Sequence, residues 1–381
     1  MLSLLLGCTA GSTTAPTGAF PDALPGTVFQ ARLQDNVTAS GVSDGDLWPS
    51  CWSDDDALYA ANGDGAGFGF EMSDIVMNRI TGTPGADDLT GDALALGDAL
   101  GQVWSGDNFT RKPTGMLCVD GTIYLAVQDL RRDFNEAPAA TIARSDDHGA
   151  SWTWVDTEPM FRNHEFTTIF FADFGKDSQH APNGYAYAFG TDGNWRDSFD
   201  DSVPDPSELF LARVPTDSVQ DASTWEFYSG APGDIEPSWT KDISRKQAVL
   251  IDERRQHPRD ETAGTTGQTV GANNLSVISQ GGVTYLPARD RYIYSSWTEL
   301  TFEFYESPTP WGPWTLFVSE DFGPYPWAEA RFGGYGTSIP SKFISDDELT
   351  MWVQSNVCPC APAGVSSYWF GLRKLELKPV E

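Results

Sequence analysis

Short runs of alternating apolar and polar residues dominate the chain from Val28 onward, for example at 122–127, 184–189 and 349–353. Each run is bounded by Gly, Asp, Asn or Pro, the residues that favour tight turns. Alternation with a period of two predicts β-strands with one buried face. The best helical pattern, at 92–100, is short and does not compete with the strand signals. The chain is therefore predicted to be all-β.

The strand signals recur in five groups, near 40–80, 112–157, 165–228, 275–319 and 332–378. Repeats of roughly 40–50 residues are typical of β-propellers, in which each blade is a four-stranded sheet. The pattern predicts one five-bladed β-propeller domain over 28–381. Residues 1–27 are predicted to be a signal remnant and a flexible tether.

One local motif strengthens the propeller prediction. Residues 145–152 fit the pattern Ser-x-Asp-x-Gly-x-Ser/Thr-Trp, known as an Asp-box and found in outer hairpins of propellers. Asp147 is expected to accept hydrogen bonds from turn amides, Gly149 to supply a positive φ, and Trp152 to pack beneath the hairpin. These roles are structural, so we assign no catalysis to this hairpin.

The composition restricts the class of partner. With 24 basic and 54 acidic residues the formal charge is −30, and the sequence pI is about 4.2. Such a surface repels nucleic-acid backbones and anionic lipid headgroups, so neither is an expected partner. The 40% apolar and 13% aromatic residues are enough to build a core.

The first eight residues form a short apolar run that ends in Gly7-Cys8. This resembles the end of a bacterial lipoprotein signal, in which Cys8 is lipidated, and 9–25 reads as a tether. The chain is expected to be exported, to be monomeric, and to touch a membrane only through Cys8. The other cysteines allow one or two disulfides, whose pairing the spacing leaves open. They are Cys51, Cys118, Cys358 and Cys360.

The most informative candidate chemistry lies at the start of the first blade. Asp46 stands just ahead of a Trp-Pro pair and is predicted to project into the central funnel. Trp48 or Trp52 is predicted to stack on a sugar ring. Asp64, in an Asn-Gly-Asp-Gly turn, is either a hairpin tip or a second carboxylate of the site.

Two further clusters supply candidates. Asp177 follows the strand at 168–171, and Lys112 begins the strand that leads to Gln128-Asp129. A strand that leads inward to Lys or Asp is what a propeller site requires, whereas the same residues on outer turns would be inert. Lys112 is predicted to orient a substrate hydroxyl or to be an ordinary strand residue.

Together these motifs resemble a known family over 46–377. The order of the motifs is similar to that of the family catalogued as domain of unknown function 4185, part of which is assigned to glycoside hydrolase family 183, the endo-D-arabinanases. The resemblance implies a five-bladed propeller that hydrolyses arabinofuranosyl linkages. Residues 178–183 and the loop 254–272 depart from the family pattern. The matching segments are 46–49, 52–55, 58–59, 63–65, 112–115, 119–121, 145–149, 174–177, 211–215, 225–230 and 310–315.

Glycoside hydrolysis uses two carboxyl groups on opposite sides of the scissile bond. The sequence hypothesis makes Asp46 the general base or nucleophile and Asp177 its acid partner. Asp64 is the alternative partner, or a group that modulates the pKa of the others. No cofactor is required, and the density of Asp residues would also admit a calcium ion in the funnel.

Two other functions use the same sequence features. A glycan-binding surface lipoprotein without catalytic activity would use the same funnel and Trp residues. A sialidase would need three converging arginines, and the candidates are scattered in the sequence. They are Arg79, Arg213, Arg245 and Arg331.

Overall fold

The computed structural model consists almost entirely of β-strands, so the predicted all-β class is confirmed. Helical structure in the described residues is limited to single 3₁₀ turns, none of which has the length and apolarity to cross a bilayer. The turns are Gly97–Ala99, Lys176–Ser178, Ala222–Thr224, Ile243–Arg245 and Ser341–Phe343. Cys8, Arg331 and Cys360 fall outside the described residues. The structure describes 19–86, 89–198, 202–257, 275–298, 300–322, 333–359 and 365–380.

Two antiparallel sheets come first in the chain, after the short strands β1 (Phe29–Leu33) and β2 (Ala39–Ser40). The first sheet consists of β3 (Asp44–Asp46), β4 (Ser50–Trp52), β5 (Leu58–Gly67), β6 (Ser73–Thr81) and β7 (Thr90–Leu96). The second consists of β8 (Phe109–Val119), β9 (Thr122–Arg131), β10 (Ala139–Ser145) and β11 (Phe161–Arg162). In both sheets the chain moves outward strand by strand.

The third and fourth groups follow the same outward order and are joined through their first strands. The third consists of β12 (Thr168–Asp173), β13 (Tyr185–Thr191), β14 (Glu208–Pro215), β15 (Glu226–Tyr228), β16 (Trp239–Thr240) and β17 (Ala248–Ile251). A small pair, β18 (Arg255–Gln256) and β19 (Leu275–Ser276), comes next. The fourth consists of β20 (Gly282–Leu286), β21 (Arg291–Trp297), β22 (Thr301–Ser307) and β23 (Thr315–Asp321). Strands β12 and β20 pair in parallel.

The fifth group closes the molecule on itself. Strands β24 (Tyr335–Ser338), β25 (Thr350–Asn356) and β26 (Gly371–Pro379) form an antiparallel sheet in chain order. Strand β1 pairs with β26 from Phe29↔Pro379 to Leu33↔Leu375 and so forms its outer edge. The last sheet is therefore built from both ends of the described chain.

The inner strands of the five groups, β4, β8, β12, β20 and β24, meet around one narrow cavity of about 30 Å³. This volume holds about one water molecule, so a polymer cannot pass through the middle of the protein. Gly115 of β8 shows how tight the centre is, because a Cβ there would lie 2.5 Å from the Phe170 Cα of β12. The arrangement is propeller-like. Representative lining residues are Ser50, Gly115, Phe170, Val283 and Ser338.

The inner strands run in the same direction, which gives the molecule two different faces. At the start of β12, Thr168 donates a hydrogen bond to Gln128, the partner of Lys112 near the start of β8 (2.8 Å). We call the end at which β8, β12 and β24 begin the front face, and the opposite end the back face. Any sequence motif that follows an inner strand therefore lies at the back.

Covalent and apolar contacts join neighbouring sheets. A disulfide links Cys51 of β4 to Cys118 of β8, and Cys358 is also disulfide-bonded. In the hairpin after β10, Asp147 accepts hydrogen bonds from the Ser151 amide and the Ser145 hydroxyl, each at 2.8 Å. Trp152 is buried and donates to the Gly149 carbonyl. These contacts match the structural role expected for this motif.

Candidate active site

Asp46 occupies the front end of the first sheet as the last residue of β3. It pairs in register with Gly63 of β5, and only 9% of it is exposed. The next two residues, Leu47 and Trp48, both have left-handed φ values, of 69° and 53°. Two such residues in succession are uncommon outside glycine, and strained backbone is often found at functional sites. The turn places Asp46 where the first, second and fifth groups of strands meet.

Hydrogen bonds to Asp46 come from the other end of the chain. The hydroxyls of Tyr335 and Tyr368 donate to its Oδ2 at 3.1 and 3.0 Å. Its other oxygen, Oδ1, is buried and accepts no hydrogen bond from the described residues. A buried oxygen without a partner disfavours the ionised form. The environment therefore leaves one oxygen of the carboxyl group able to carry a proton.

The balance of charges around Asp46 leads to the same conclusion. Burial raises its pKa to about 7, and the charge of Asp64 adds to the increase. The ammonium group of Lys112 and the two tyrosine hydroxyls oppose it without cancelling it. Removal from water is the dominant cause, as for other acids that stay protonated near neutral pH.

Asp64 and Lys112 form an ion pair beside Asp46. The Lys112 side chain is 3% exposed, whereas that of Asp64 is 47% exposed. Lys112 Nζ also donates to the Asp74 carbonyl at 3.3 Å. A Cβ on Gly63 would lie 2.7 Å from Asp46 Oδ1 and 3.1 Å from Lys112 Cδ, so glycine is needed for this close packing. The two carboxyl groups thus share one buried cation.

The two carboxyl groups differ in the way that general acid–base chemistry requires. Asp46 is buried and has a pKa raised to about 7, whereas Asp64 is ion-paired and reached by solvent. One acid that keeps its proton near neutral pH, beside one carboxylate open to water, is a pattern seen where proton transfer is catalysed. The other carboxyl candidate from the sequence has no part in this pair.

Asp177 lies at the back of the molecule. Its Oδ1 accepts a hydrogen bond from the amide of Gly121, which follows β8, at 3.1 Å. Lys112 lies near the opposite end of the same strand, which places the two groups roughly 25–30 Å apart at the usual rise per residue. The expected pairing of Asp177 with Asp46 is therefore wrong. The alternative partner, Asp64, is the carboxylate that the fold brings to Asp46.

Neither predicted tryptophan has an open face at the candidate site. Trp48 is fully buried, donates to the Gly45 carbonyl at 3.0 Å, and packs edge-on against Phe68 and Phe370. A side chain without exposed area cannot stack on a sugar, so that expectation is wrong for Trp48. Its large apolar ring instead supports the turn that follows Asp46.

Trp52 lies at the back end of β4, opposite Leu58. The ammonium groups of Lys176 and Lys342 lie 5.9 and 5.2 Å from the centre of its ring, and its indole nitrogen donates to Asp56 at 2.9 Å. These contacts connect the first, third and fifth groups of strands. Trp52 therefore has a structural role at the back, and its expected place in the funnel site is wrong.

Three acidic and imidazole groups also converge on the back face. Ligand-type atoms of Asp54, Asp55 and His148 lie within 4.8 Å of one another, and all three side chains are exposed. Protein contacts already engage them, since His148 meets Asp54 at 2.8 Å and Arg79 donates to Asp55 at 2.9 Å. These hydrogen bonds account for the closeness of the three side chains without a bound metal ion.

Sequence reasoning missed the two tyrosines that hold Asp46. Tyr335 follows a glycine at the start of the last group of strands, and Tyr368 precedes β26. Both are far from Asp46 along the chain, and only the closure of the fold brings them together. The available signal was weak: an aromatic residue between two glycines, Gly334 and Gly336, at the start of an inner strand.

The chain is similar to several solved structures over most of its length. A protein from Bacteroides ovatus, described as an inferred hydrolase, has 12% identity and a TM-score of 0.51, with 96% of this chain and 97% of that chain covered. A GH43_1 enzyme from Xanthomonas citri has 15% identity and a TM-score of 0.47, with 91% and 90% covered. The catalytic domain of a GH62 α-L-arabinofuranosidase from Coprinopsis cinerea has 11% identity and a TM-score of 0.46, with 92% and 98% covered.

Sequence comparison identifies the family. No curated protein matches the chain significantly. The profile of the domain of unknown function DUF4185 matches residues 35–320, a region that contains Asp46, Asp64 and Lys112. The family expected from the order of the motifs is confirmed, and this chain belongs to the DUF4185 family.

Proposed function

We propose that this protein is a glycoside hydrolase that cuts a polysaccharide at the front face of a five-bladed β-propeller. The observation that carries the proposal is the pair formed by buried Asp46, with a pKa of about 7, and solvent-accessible Asp64. The five-bladed architecture is supported by the five outward-running groups of strands and by the cavity that an inner strand of each group lines.

In this proposal Asp46 is the general acid. It holds its proton near neutral pH and donates it to the glycosidic oxygen as the bond to the leaving sugar breaks. This reverses the role expected from the sequence, in which Asp46 was the base or nucleophile. The reason for the change is burial, which the sequence alone does not reveal.

Asp64 is the carboxylate on the other side of the reacting carbon. If it acts as a base, it removes a proton from a water molecule, and the configuration at the sugar is inverted. If it acts as a nucleophile, the configuration is retained. Lys112 is buried beneath it and fixes its position, a different role from orienting a substrate hydroxyl. The reaction uses two carboxyl groups and needs no metal.

The proposed substrate is a polysaccharide with arabinofuranosyl linkages, on the strength of the family resemblance. Export, with lipidation at Cys8, belongs to the same proposal. The disulfide between Cys51 and Cys118 supports it, because such bonds persist mainly in oxidising compartments.

The test is hydrolysis of arabinan, arabinogalactan and xylan by the wild type and by Asp46→Asn and Asp64→Asn. Release of oligosaccharides from one polymer by the wild type, with a large loss in both variants, is the expected result. Asp217→Asn is the matched control, because Asp217 is an exposed residue after β14, on the back face. NMR of the first product then assigns the stereochemical outcome.

Two results would contradict the proposal. Undiminished hydrolysis by Asp46→Asn would remove Asp46 from the chemistry. Binding of a polymer by the wild type without any release of sugar would instead identify a glycan-binding protein that lacks catalytic activity.

A further inference from the structure

A second depression lies on the front face, beside the second sheet. It has a volume of about 550 Å³ and is lined by residues that include Trp104, Pro138, Glu158, Arg162, Asn163 and His164. We call it the Trp104 groove. Its volume is within the usual range for ligand-binding clefts, whereas the central cavity holds about one water molecule.

The Trp104 side of the groove is fixed through its main chain. The amides of Trp104 and Ser105 donate to one oxygen of Asp129, at 2.8 and 2.7 Å. Asp129 lies on β9, opposite Arg111 of β8. These two hydrogen bonds hold the loop through its main chain, so the Trp104 indole ring is free to form part of the groove wall. Trp104 is partly exposed.

The opposite side of the groove is formed by the connection between β11 and β12. Asn163 and His164 have left-handed φ values of 60° and 62°. Asn and His tolerate this conformation better than most residues, although it is uncommon in succession. The His164 ring is held by Glu136 at 3.0 Å. Asn163 is exposed and adds an amide group to this wall.

Arg162 and Glu158, the charged side chains of the groove lining, offset each other. Arg162 meets Glu158 at 2.8 Å, and His164 meets Glu136 at 3.0 Å. An aromatic ring beside balanced hydrogen-bonding groups suits a neutral sugar, which has apolar C–H faces and a rim of hydroxyls. A strongly anionic ligand would require unpaired cations.

The groove lies close to the candidate active site. Lys112 neighbours Arg111 on β8, Arg111 faces Asp129, and Asp129 holds the Trp104 amide. With strands about 4.8 Å apart, this path places the main chain of Trp104 roughly 10–15 Å from that of Lys112. The two places therefore share one face, at a separation that a short run of sugar residues can span.

We infer that the Trp104 groove is a subsite for a neutral segment of the same polysaccharide that is cut beside Asp46. This inference rests on the proposed function for the identity of the polymer. The groove binds the chain beyond the scissile linkage, with the Trp104 ring against a sugar face and Asn163 hydrogen-bonded to hydroxyls. Long chains thereby bind more tightly than fragments that fill only the central mouth.

The test separates binding from catalysis. In the Asp46→Asn background, the affinity for linear arabinan, arabinogalactan and xylan is measured with and without Trp104→Ala. The substitution is expected to weaken binding of the preferred polymer roughly 3- to 10-fold, the usual size of an aromatic stacking contribution. Trp104→Phe should restore much of the loss. Ile235→Ala, which removes a 93% exposed side chain elsewhere, should change nothing.

A kinetic measurement in the protein with Asp46 intact completes the test. Trp104→Ala should raise KM for the polymer by a larger factor than KM for a trisaccharide of the same sugar. Equal changes for both, or no change in polymer affinity, would overturn the subsite while leaving the hydrolase proposal intact. Polymer binding that depends on Trp104, in a protein that hydrolyses nothing, would support the subsite and overturn the hydrolase. Failure of the wild type to bind any of the three polymers would overturn the subsite.

Discussion

Two aspartates, buried Asp46 and partly buried Asp173, lie at opposite ends of the inner strands, and they differ in how their oxygens are used. Asp46, at the front, has two tyrosine hydroxyls on one oxygen, and none of the described residues donates a hydrogen bond to the other. Asp173, at the back, accepts bonds from the Ser341 amide and hydroxyl at 2.8 and 2.6 Å. The Gly175 amide adds a third, at 3.0 Å.

Burial raises the pKa of both groups, so a raised pKa alone does not mark a reactive acid. The difference is that Asp173 joins β12 to the segment after β24, while Asp46 has an oxygen to spare and a second carboxylate, Asp64, beside it. A buried carboxyl group with all its bonds made is a structural link. A carboxyl group that has an oxygen without a hydrogen bond, and lies beside a second acid, is a candidate for catalysing proton transfer.

The largest difference between the two aspartates should appear when each is replaced separately by asparagine. Asp46→Asn should lower kcat by roughly 10²–10⁴-fold, the usual contribution of a general acid, and leave the fold intact because asparagine resembles the protonated acid. Asp173→Asn should keep its activity per folded molecule but lose about 1–3 kcal/mol of stability, because an amide nitrogen would face N–H donors. Initial rates and urea denaturation measure both. Loss of activity in a fully folded Asp173→Asn protein would break the distinction.

The pH dependence of stability is the next effect in size. The folded pKa of Asp46 is about 7, above its unfolded value, so the folded state keeps a proton that the unfolded state loses near pH 4. The free energy of unfolding should therefore fall as the pH rises from about 4 to about 7, by about 4 kcal/mol from this group. Asp46→Asn should lack this part of the slope. The free energy of unfolding is measured by urea denaturation at a series of pH values. An equal dependence on pH in the wild type and in Asp46→Asn would contradict the raised pKa of Asp46.

The smallest effect concerns the two tyrosines. Their hydrogen bonds lower the pKa of Asp46, so Tyr335→Phe or Tyr368→Phe should raise it further. The alkaline limb of kcat/KM, expected near pH 7 in the wild type, should move upward by up to about one pH unit. Tyr285→Phe removes a comparable bond to Asp290 at a distant hairpin and serves as the control. A shift in the control of the same size would show that the effect is not local.

The sequence predicted the all-β class, the positions of most strands and the family, because these depend on local periodicity and turn residues. It also named Asp46, Asp64 and Lys112 as candidates, and the fold brings these three side chains together. It failed for Asp177 because the face on which a residue lies depends on the direction of the inner strands. It failed for Trp48 because a Trp-Pro pair looks the same whether the ring is buried or exposed.

The tyrosines were beyond the reach of local patterns. Tyr335 and Tyr368 meet Asp46 only because β1 and β26 pair and close the structure. Their contribution is a property of the complete fold, and no window of neighbouring residues contains it.

This closure also has a consequence for biosynthesis. Asp46 leaves the ribosome long before the two tyrosines whose hydroxyls donate to its carboxyl group. A nascent chain that ends before β24 lacks both of these hydrogen-bond donors. The surroundings of the acid are therefore complete only after the fifth group of strands has been synthesised and has packed beside the first.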